Sequence, residues 1–305
     1  MTPIVHHPAY VARDVPANHR FPMGKFRAVA ERVIEAGLVE DWDGFHQPIP
    51  APAAWLETAH SGAYVDQVLT QNVPADLERR IGFKMTEPVA TRSRCAVAGT
   101  VLAARLALEH GAACNTAGGS HHAAHDGGAG FCVFNDVAVA AKLLTGEGAV
   151  KRVLVVDLDV HQGDGTARIF ADEPDVFTLS VHCEENWPRR KAVSDMDVGV
   201  TKGAGDADYL RVARAAVEEA LDAARPDLVF FNAGVDPHRD DRLGLLDLTD
   251  EGLARREAMV FEAVMRRGAP VCGVLGGGYS RDLEALSRRH ALLHRAAADA
   301  LKAFA

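Results

Sequence analysis

Short, continuous apolar segments, many of them rich in Val and Leu, alternate with longer amphipathic segments along most of the 305-residue chain. The apolar segments predict five strands, at 112–117, 152–159, 176–182, 227–234 and 270–276. The intervening segments predict helices at about 93–110, 134–145, 206–224 and 249–268. Uninterrupted apolar strands separated by helices are typical of a parallel sheet that is buried on both faces.

The remaining segments fit the same domain. A short strand in "IVHH" and a helix in "KFRAVAERVIEAG" are predicted before residue 90, and a final helix follows "RDLEAL". The chain contains no internal repeat, low-complexity tract or linker. We therefore expect one α/β domain over residues 1–305.

The formal net charge of −9 restricts the class of partner. Nucleic-acid binding requires Lys and Arg clustered on one face, so the charge argues against a nucleic-acid partner and favours a basic polymer or a small substrate. No apolar stretch reaches the ~18 residues of a membrane span, and the start of the chain has no signal-peptide pattern. Because the five cysteines form no CxxC pair and leave one unpaired in any disulfide scheme, we expect a reducing, cytoplasmic location.

Polar side chains follow the predicted strands at the carboxyl ends, where parallel sheets bind ligands. The segment "RVLVVDLDVHQGDG" leads into Asp157, Asp159 and His161, and "DLVFFNAGVDPH" leads into Asp236. In an extended chain, the spacing of i, i+2 and i+4 puts the first three on one face. Two carboxylates and an imidazole on one face need partners, which either a structural hydrogen-bond network or a metal ion could supply.

Asp236 completes an Asp, His, Asp donor set for a divalent metal. Three protein ligands and a water are typical of a catalytic site, because a structural site closes its shell with a fourth side chain. Oxygen and nitrogen donors without a thiolate suit Zn²⁺, Fe²⁺, Mn²⁺ or Co²⁺, and the sequence does not choose among them.

Two adjacent histidines, His121 and His122, lie in the glycine-rich segment "GGSHHAAHDGGAGFC". They can transfer protons at a metal-activated water if acidic partners orient their rings. Asp157 and Asp164 are the available carboxylates. Tyr279 follows three glycines, which allow a sharp turn, and its hydroxyl can stabilise an oxyanion.

The segments "GGSHHA", "GGAGFCVFND", "DLDVHQGDG", "NAGVD" and "GGGY" occur in the order of the histone deacetylase superfamily, which the chain resembles over nearly its whole length. Together with "HRFPMGKFRAV", they are most similar to the class IV branch and its bacterial relatives. The resemblance implies the arginase/deacetylase fold. In that fold, a single three-layer domain over residues 1–305 has a mostly parallel central sheet, and the active site lies at the C-terminal ends of the strands.

The resemblance also implies the activity, which is a zinc-dependent deacetylase or deacylase. Such a hydrolase removes acetyl or longer fatty acyl groups from lysine side chains of proteins or from acylated small amines. Asp159, His161 and Asp236 would bind Zn²⁺, or Fe²⁺ or another divalent ion. A K⁺ ion could bind near the Asp157–His161 loop.

Each remaining candidate residue receives a role from the same resemblance. His122 would be the general base and His121 its electrostatic partner. Asp157 would support His121, Asp164 would support His122, and Tyr279 would donate to the scissile carbonyl. The resemblance also implies which residues line the channel for the acylated lysine side chain, namely Gly130, Phe131, Trp187 and Leu243.

Three alternatives stay open. An acetylpolyamine-type deacetylase would use the same machinery on a small amine. A binuclear manganese ureohydrolase would need further carboxylates, whereas "NAGVDPH" offers one at the second strand end. A non-catalytic module that binds acyl-lysine would be expected to lack a metal ligand, the base or the tyrosine, and this chain has all of them.

Overall fold

The computed structural model describes residues 2–304, and within that range the chain forms one sheet of seven parallel strands. The strands are β1 (Ile4–Val5), β2 (Ala112–Asn115), β3 (Val153–Asp157), β4 (Val176–Cys183), β5 (Met196–Val200), β6 (Leu228–Asn232) and β7 (Val271–Val274). Their order across the sheet is β1-β2-β7-β6-β3-β4-β5. The predicted α/β fold is confirmed, and every pair of neighbouring strands is parallel.

Helices flank the sheet in a three-layer arrangement. They are α1 (Lys25–Glu35), α2 (Ala53–Leu56), α3 (Gly62–Leu69), α4 (Ala75–Ile81), α5 (Glu87–His110), α6 (Asp136–Gly146), α7 (Asp164–Ile169), α8 (Asp206–Ala224), α9 (Asp250–Met265) and α10 (Leu283–Phe304). Every residue of β3, β6 and β7 is buried, which explains why these strands read as continuous apolar segments. Within residues 2–304, no helix has the length and apolar character needed to cross a membrane.

The structure departs from the sequence-based prediction at the edge of the sheet and at the start of helix α5. β5 was not predicted, because its segment "MDVGV" alternates between exposed and partly buried residues and contains Asp and Gly, which are depleted in strands. Helix α5 begins at Glu87, before the predicted start at 93. Thr86 caps it by accepting the N–H of Val89, and a proline occupies the first turn.

The strand order places four polar loops along one edge of the sheet. β3 and β6 are neighbours in register, with Asp157 opposite Asn232, and β7 and β2 follow on the same side. Because all these strands are parallel, the loops that leave their carboxyl ends converge. The sequence motifs lie in these loops.

Candidate active site

The three predicted metal ligands meet at the carboxyl ends of the two central strands. Asp159 and His161 lie two and four residues beyond β3, and Asp236 lies four residues beyond β6. His161 Nδ1 is 3.0 Å from Asp159 Oδ1 and 3.1 Å from Asp236 Oδ2. One donor atom of each residue lies within 4.8 Å of the other two, and all three residues are buried.

This donor set fits a divalent cation. Burial and the charge of Asp159 raise the pKa of Asp236 to about 7, because two carboxylates in a dry site repel each other. A divalent cation among the three donors would remove this repulsion. Gly277 leaves room beside the carboxylates, since a Cβ there would lie 2.1 Å from Asp236 Oδ2. The set supplies three ligands, as in catalytic metal sites with an open position.

The two histidines face each other, and each is oriented by its own carboxylate. His121 Nδ1 lies 2.6 Å from Asp157 Oδ2, and His122 Nδ1 lies 2.7 Å from Asp164 Oδ1. The two Nε2 atoms are 3.1 Å apart. Because each Nδ1–H donates to a carboxylate, the Nε2 atoms are the ones left for proton transfer.

The surroundings of the two rings push their pKa values apart. Burial lowers the pKa of His121, but the charges of Asp157 and Asp159 outweigh it and raise that pKa to about 9. Burial and the neighbouring His121 lower the pKa of His122 to about 3. His121 therefore holds a proton more readily than His122 does, and such a difference within a pair suits acid and base catalysis.

The loop after β2 brings this pair to the metal ligands. Gly118 and Gly119 have φ angles of 86° and 82°, which glycine adopts at no steric cost. Gly119 also passes so close to β6 that a Cβ would lie 2.4 Å from Asn232 Oδ1. Asp136 fixes the loop by accepting the N–H groups of Gly119 and Ser120 at 3.1 and 2.8 Å.

Tyr279 lies in the turn that follows β7, where its N–H donates to Asp241 Oδ2 at 2.7 Å. Gly276 has a φ of 65° in this turn, a conformation that favours glycine. The Tyr279 ring centroid is 6.1 Å from that of His161, and the residue is 7% exposed. Burial and the charge of Asp159 raise the pKa of Tyr279, so its hydroxyl stays protonated and can donate.

A cavity of about 330 Å³ connects these groups with the surface, and His122, His161 and Tyr279 all line it. The predicted wall residues line it as well; they are Gly130, Phe131, Trp187 and Leu243. A Cβ at Gly130 would lie 2.7 Å from His122 and 3.1 Å from Trp187, so only glycine fits at this position. The Trp187 ring centroid is 4.3 Å from that of His122.

Several residues at the site were missed by sequence reasoning. Asn232 donates its Nδ2 to Asp157 Oδ1 at 3.0 Å, and Asp241 holds the backbone of Tyr279. Arg20 and Arg80 line the cavity. Asn232 belongs to the quoted motif "NAGVD" and Arg20 to the quoted segment "HRFPMGKFRAV", whereas Arg80 lies in no quoted segment. Neither arginine follows a predicted strand end.

Comparisons with known proteins agree with this geometry. A family model for the histone deacetylase domain matches residues 19–295, which include every candidate site residue. The chain is 48% identical over 297 residues to an uncharacterized protein of Picosynechococcus sp., covering 97% of this chain and 98% of that protein. It is 30% identical over 272 residues to histone deacetylase 2 of Arabidopsis thaliana, covering 86% of this chain and 70% of that protein.

Two further matches are a probable deacetylase and a solved structure. A probable deacetylase of Methanothermobacter thermautotrophicus is 32% identical over 217 residues, covering 67% of this chain and 64% of that protein. The crystal structure of the HDA15 HD domain matches with a TM-score of 0.79 and 25% identity, covering 99% of this chain and 92% of that chain.

Proposed function

Because this chain belongs to the histone deacetylase family, we propose that it is a zinc-dependent deacylase whose catalytic domain spans residues 1–305. The reaction is hydrolysis of the amide between an acyl group and a lysine side chain or a small amine. The observation that carries the proposal is that His122, His161 and Tyr279, from three different loops, line the same narrow cavity. Family membership supports the deacetylase activity, and the Asp, His, Asp set supports the metal.

The cavity walls orient the substrate. An acylated lysine has a slender, apolar stem that fits between Phe131 and Trp187, with Leu243 beside it. Enclosing the stem places the scissile amide next to His122 and Tyr279 and excludes bulk water from the reacting atoms.

The metal ligands and the histidine pair divide the chemistry. A metal held by Asp159, His161 and Asp236 would polarise the scissile carbonyl and lower the pKa of the attacking water. His122 is neutral, so its Nε2 accepts the proton of that water. The pair then returns a proton to the leaving nitrogen, while the protonated His121 stabilises the negative charge that develops.

Tyr279 stabilises the oxyanion. Its hydroxyl stays protonated at neutral pH and donates a hydrogen bond to the carbonyl oxygen as that oxygen becomes negative. Asp241 holds the Tyr279 backbone in place, which orients the hydroxyl before the reaction starts.

The finer assignments rest on the resemblance alone. Similarity to the class IV branch favours activity on long fatty acyl groups as well as acetyl. A K⁺ ion near the Asp157–His161 loop is a further prediction of this kind, whereas the predicted cytoplasmic location rests on the cysteine pattern and the start of the chain. A binuclear ureohydrolase has less support, because within residues 2–304 the only cluster of side chains suited to a metal is the triad of Asp159, His161 and Asp236.

Acyl release from lysine peptides tests the proposed function. The zinc-loaded protein should hydrolyse at least one member of a series running from acetyl to myristoyl, on either a peptide or a polyamine carrier. Chelation should abolish the activity, and Zn²⁺ should restore it. Asp236→Asn, which loses a ligand charge, is the matched negative control. Absence of turnover on the whole series by protein that retains its metal contradicts the proposal.

A further inference from the structure

The mouth of the active-site cavity is positively charged, although the chain as a whole carries a net charge of −9. Arg20 and Arg80 line the cavity, and within residues 2–304 no carboxylate does so. Both arginines are exposed, so their guanidinium groups face solvent at the entrance. The local charge is therefore opposite to the net charge of the chain.

A neighbouring pocket of about 670 Å³ extends this positive surface, and it shares Arg20 and Tyr279 with the cavity. It adds the exposed arginines Arg13, Arg242 and Arg281 and a single acidic residue, Asp14. Within the described part of the chain, none of the side chains of Arg13, Arg20, Arg242 and Arg281 forms an ion pair or a hydrogen bond. Their charges are thus available to a ligand.

Packing fixes the backbone that carries Arg20. The preceding residue, His19, has its Nε2 3.1 Å from the carbonyl oxygen of Gly82. The following residue, Phe21, is buried, and its ring centroid lies 5.5 Å from that of Phe131 in the cavity wall. With both neighbours anchored, Arg20 is held at the mouth even though its side chain is free.

Arg80 is anchored through its own side chain. Its Nε donates to the carbonyl oxygen of Gly128 at 3.0 Å, and its remaining guanidinium N–H groups are free to donate. On this flank another pocket contains Arg80, Asp126 and Asp164. Asp164 is already paired with His122 and Arg168, which leaves Asp126 as the exposed counter-charge. The excess of positive charge therefore lies on the side of Arg20.

We propose that the amine-bearing part of the substrate is anionic, with a carboxylate within a residue or two of the scissile amide. The inference rests on the proposed deacylase function, in which the acyl group reaches the floor of the cavity and the amine carrier emerges at the mouth. Exposed arginines attract carboxylates there and repel a basic peptide or a polyamine. An acidic peptide and a free acyl-amino acid share this chemistry.

Substrates that differ only in charge test the inference. The first series consists of peptides in which acetyl-lysine is flanked by Asp, by Asn or by Lys residues. The second series consists of free Nε-acetyl-lysine, which has an α-carboxylate, and its α-amide, which does not. At low salt, the carboxylate-bearing substrate of each series should have a kcat/KM about three-fold to ten-fold above its neutral counterpart, mainly through KM. The preference should shrink in about 0.5 M salt, which screens exposed charges.

Variants of Arg20 test whether the arginines at the cavity mouth cause the preference for carboxylate-bearing substrates. Arg20→Gln should reduce the Asp-to-Asn ratio by about two-fold to three-fold, and Arg20→Glu should shift the preference towards the Lys peptide. Arg214→Gln, which removes an exposed arginine of α8 outside the pocket, should leave the ratio unchanged.

Calorimetric binding of the same substrates to the Tyr279→Phe variant separates the two proposals. One outcome is that the variant binds the carboxylate-bearing substrates more tightly while the parent protein hydrolyses none of the substrates. This result would contradict the deacylase activity and support the anionic carrier. Equal binding of the Asp and Lys peptides, or tighter binding of the Lys peptide, overturns the anionic carrier even if all are hydrolysed. A preference confined to one series identifies whether the carrier is a peptide or a single amino acid.

Discussion

Burial lowers the pKa of both His121 and His122, but the charges of Asp157 and Asp159 outweigh it at His121, whereas His121 itself lowers the pKa of His122 further. Asp164 divides its charge between His122 and Arg168, whereas Asp157 is paired with His121 and otherwise accepts only from neutral donors. Asp157 therefore favours the protonated state of its histidine more strongly. The difference favours His122 as the proposed base.

Removal of Arg168 should change the pH dependence of turnover. In Arg168→Gln, Asp164 keeps its full charge for His122, which raises the pKa of His122. Since a protonated His122 cannot act as a base, the acidic limb of the kcat profile should move to higher pH. Arg211→Gln, an exposed change on α8, is the control and should leave the profile in place. An unchanged acidic limb in Arg168→Gln would argue against His122 as the base.

Loss of the Tyr279 hydroxyl should affect turnover far more than binding. Tyr279→Phe keeps the ring that packs at 5.8 Å from Phe131 and removes only the donor. Loss of one oxyanion donor typically lowers kcat by roughly 10²- to 10³-fold. The measurement is kcat from product release together with Kd from calorimetry. Turnover equal to that of the parent protein would exclude Tyr279 as the oxyanion donor.

At the residue scale, the sequence indicated which side chains would meet at the candidate site, but not which residues would surround the mouth of the cavity. Asp159, His161 and Asp236 could be found because parallel strands bring their carboxyl ends together, so position relative to a strand implies position in space. Arg20 and Arg80 follow no strand. They reach the cavity through packing of the segments before α1 and at the end of α4, which no local pattern encodes.

Helix α9 connects the core with the loops that hold the metal ligands. Arg256 is fully buried and donates Nη1 to the carbonyl oxygens of Leu158 and Gly234 at 3.0 and 2.8 Å. Leu158 precedes Asp159, so one guanidinium ties together the ends of β3 and β6. Glu257 neutralises this guanidinium at 2.6 Å.

Variants of the buried pair of Arg256 and Glu257 should separate its effect on the free energy of unfolding from its effect on the affinity for Zn²⁺. Arg256→Ala leaves Glu257 buried without a partner and should lower the free energy of unfolding by about 3–5 kcal/mol. The double variant Arg256→Met, Glu257→Leu removes both charges and should be less destabilised. It still loses the donor to both loops, so its Zn²⁺ affinity should fall by roughly 10- to 100-fold. Urea unfolding and zinc titration measure the two effects, and parental zinc affinity in the double variant would contradict this role.

The elements differed in how well the sequence predicted them. Long buried strands and amphipathic helices such as α8 have strong periodicity, so their existence followed from the pattern. The segment of β5 contains Asp and Gly, which are depleted in strands. The short helices α2, α3, α4 and α7 have too few residues for a helical period to emerge. Their conformation depends on tertiary packing, since short helices are marginal in isolation.

The whole molecule buries several histidines in the neutral state, which links its stability to pH. Burial lowers the pKa of His60 to about 4 and that of His294 to about 3. His60 also accepts the N–H of Asn135 on Nε2 at 2.9 Å, a bond that protonation would break. These groups favour the folded state only while they remain neutral.

The contribution of these histidines to the unfolding free energy should therefore fall as the pH falls from about 6.5 towards 4. The folded pKa of His60 lies below its unfolded value, so the unfolded chain binds more protons in this window and gains stability from them. His60 alone accounts for a loss of roughly 3 kcal/mol over the window. Urea unfolding at pH 7.5, 6 and 5 measures the slope. His60→Gln should make the loss of stability on acidification smaller, and His110→Gln, at an exposed site, should not; the same slope in His60→Gln and in the parent protein would contradict the linkage.

The measurement that tests the central claim most directly is the rate of acetate release from an acetyl-lysine peptide as Zn²⁺ is added to metal-free protein. The proposed mechanism predicts no activity without metal, a rise with added zinc, and a plateau at one equivalent per chain, since one Asp, His, Asp set holds the ion. Activity in the metal-free protein, or a plateau only at two equivalents, would contradict it.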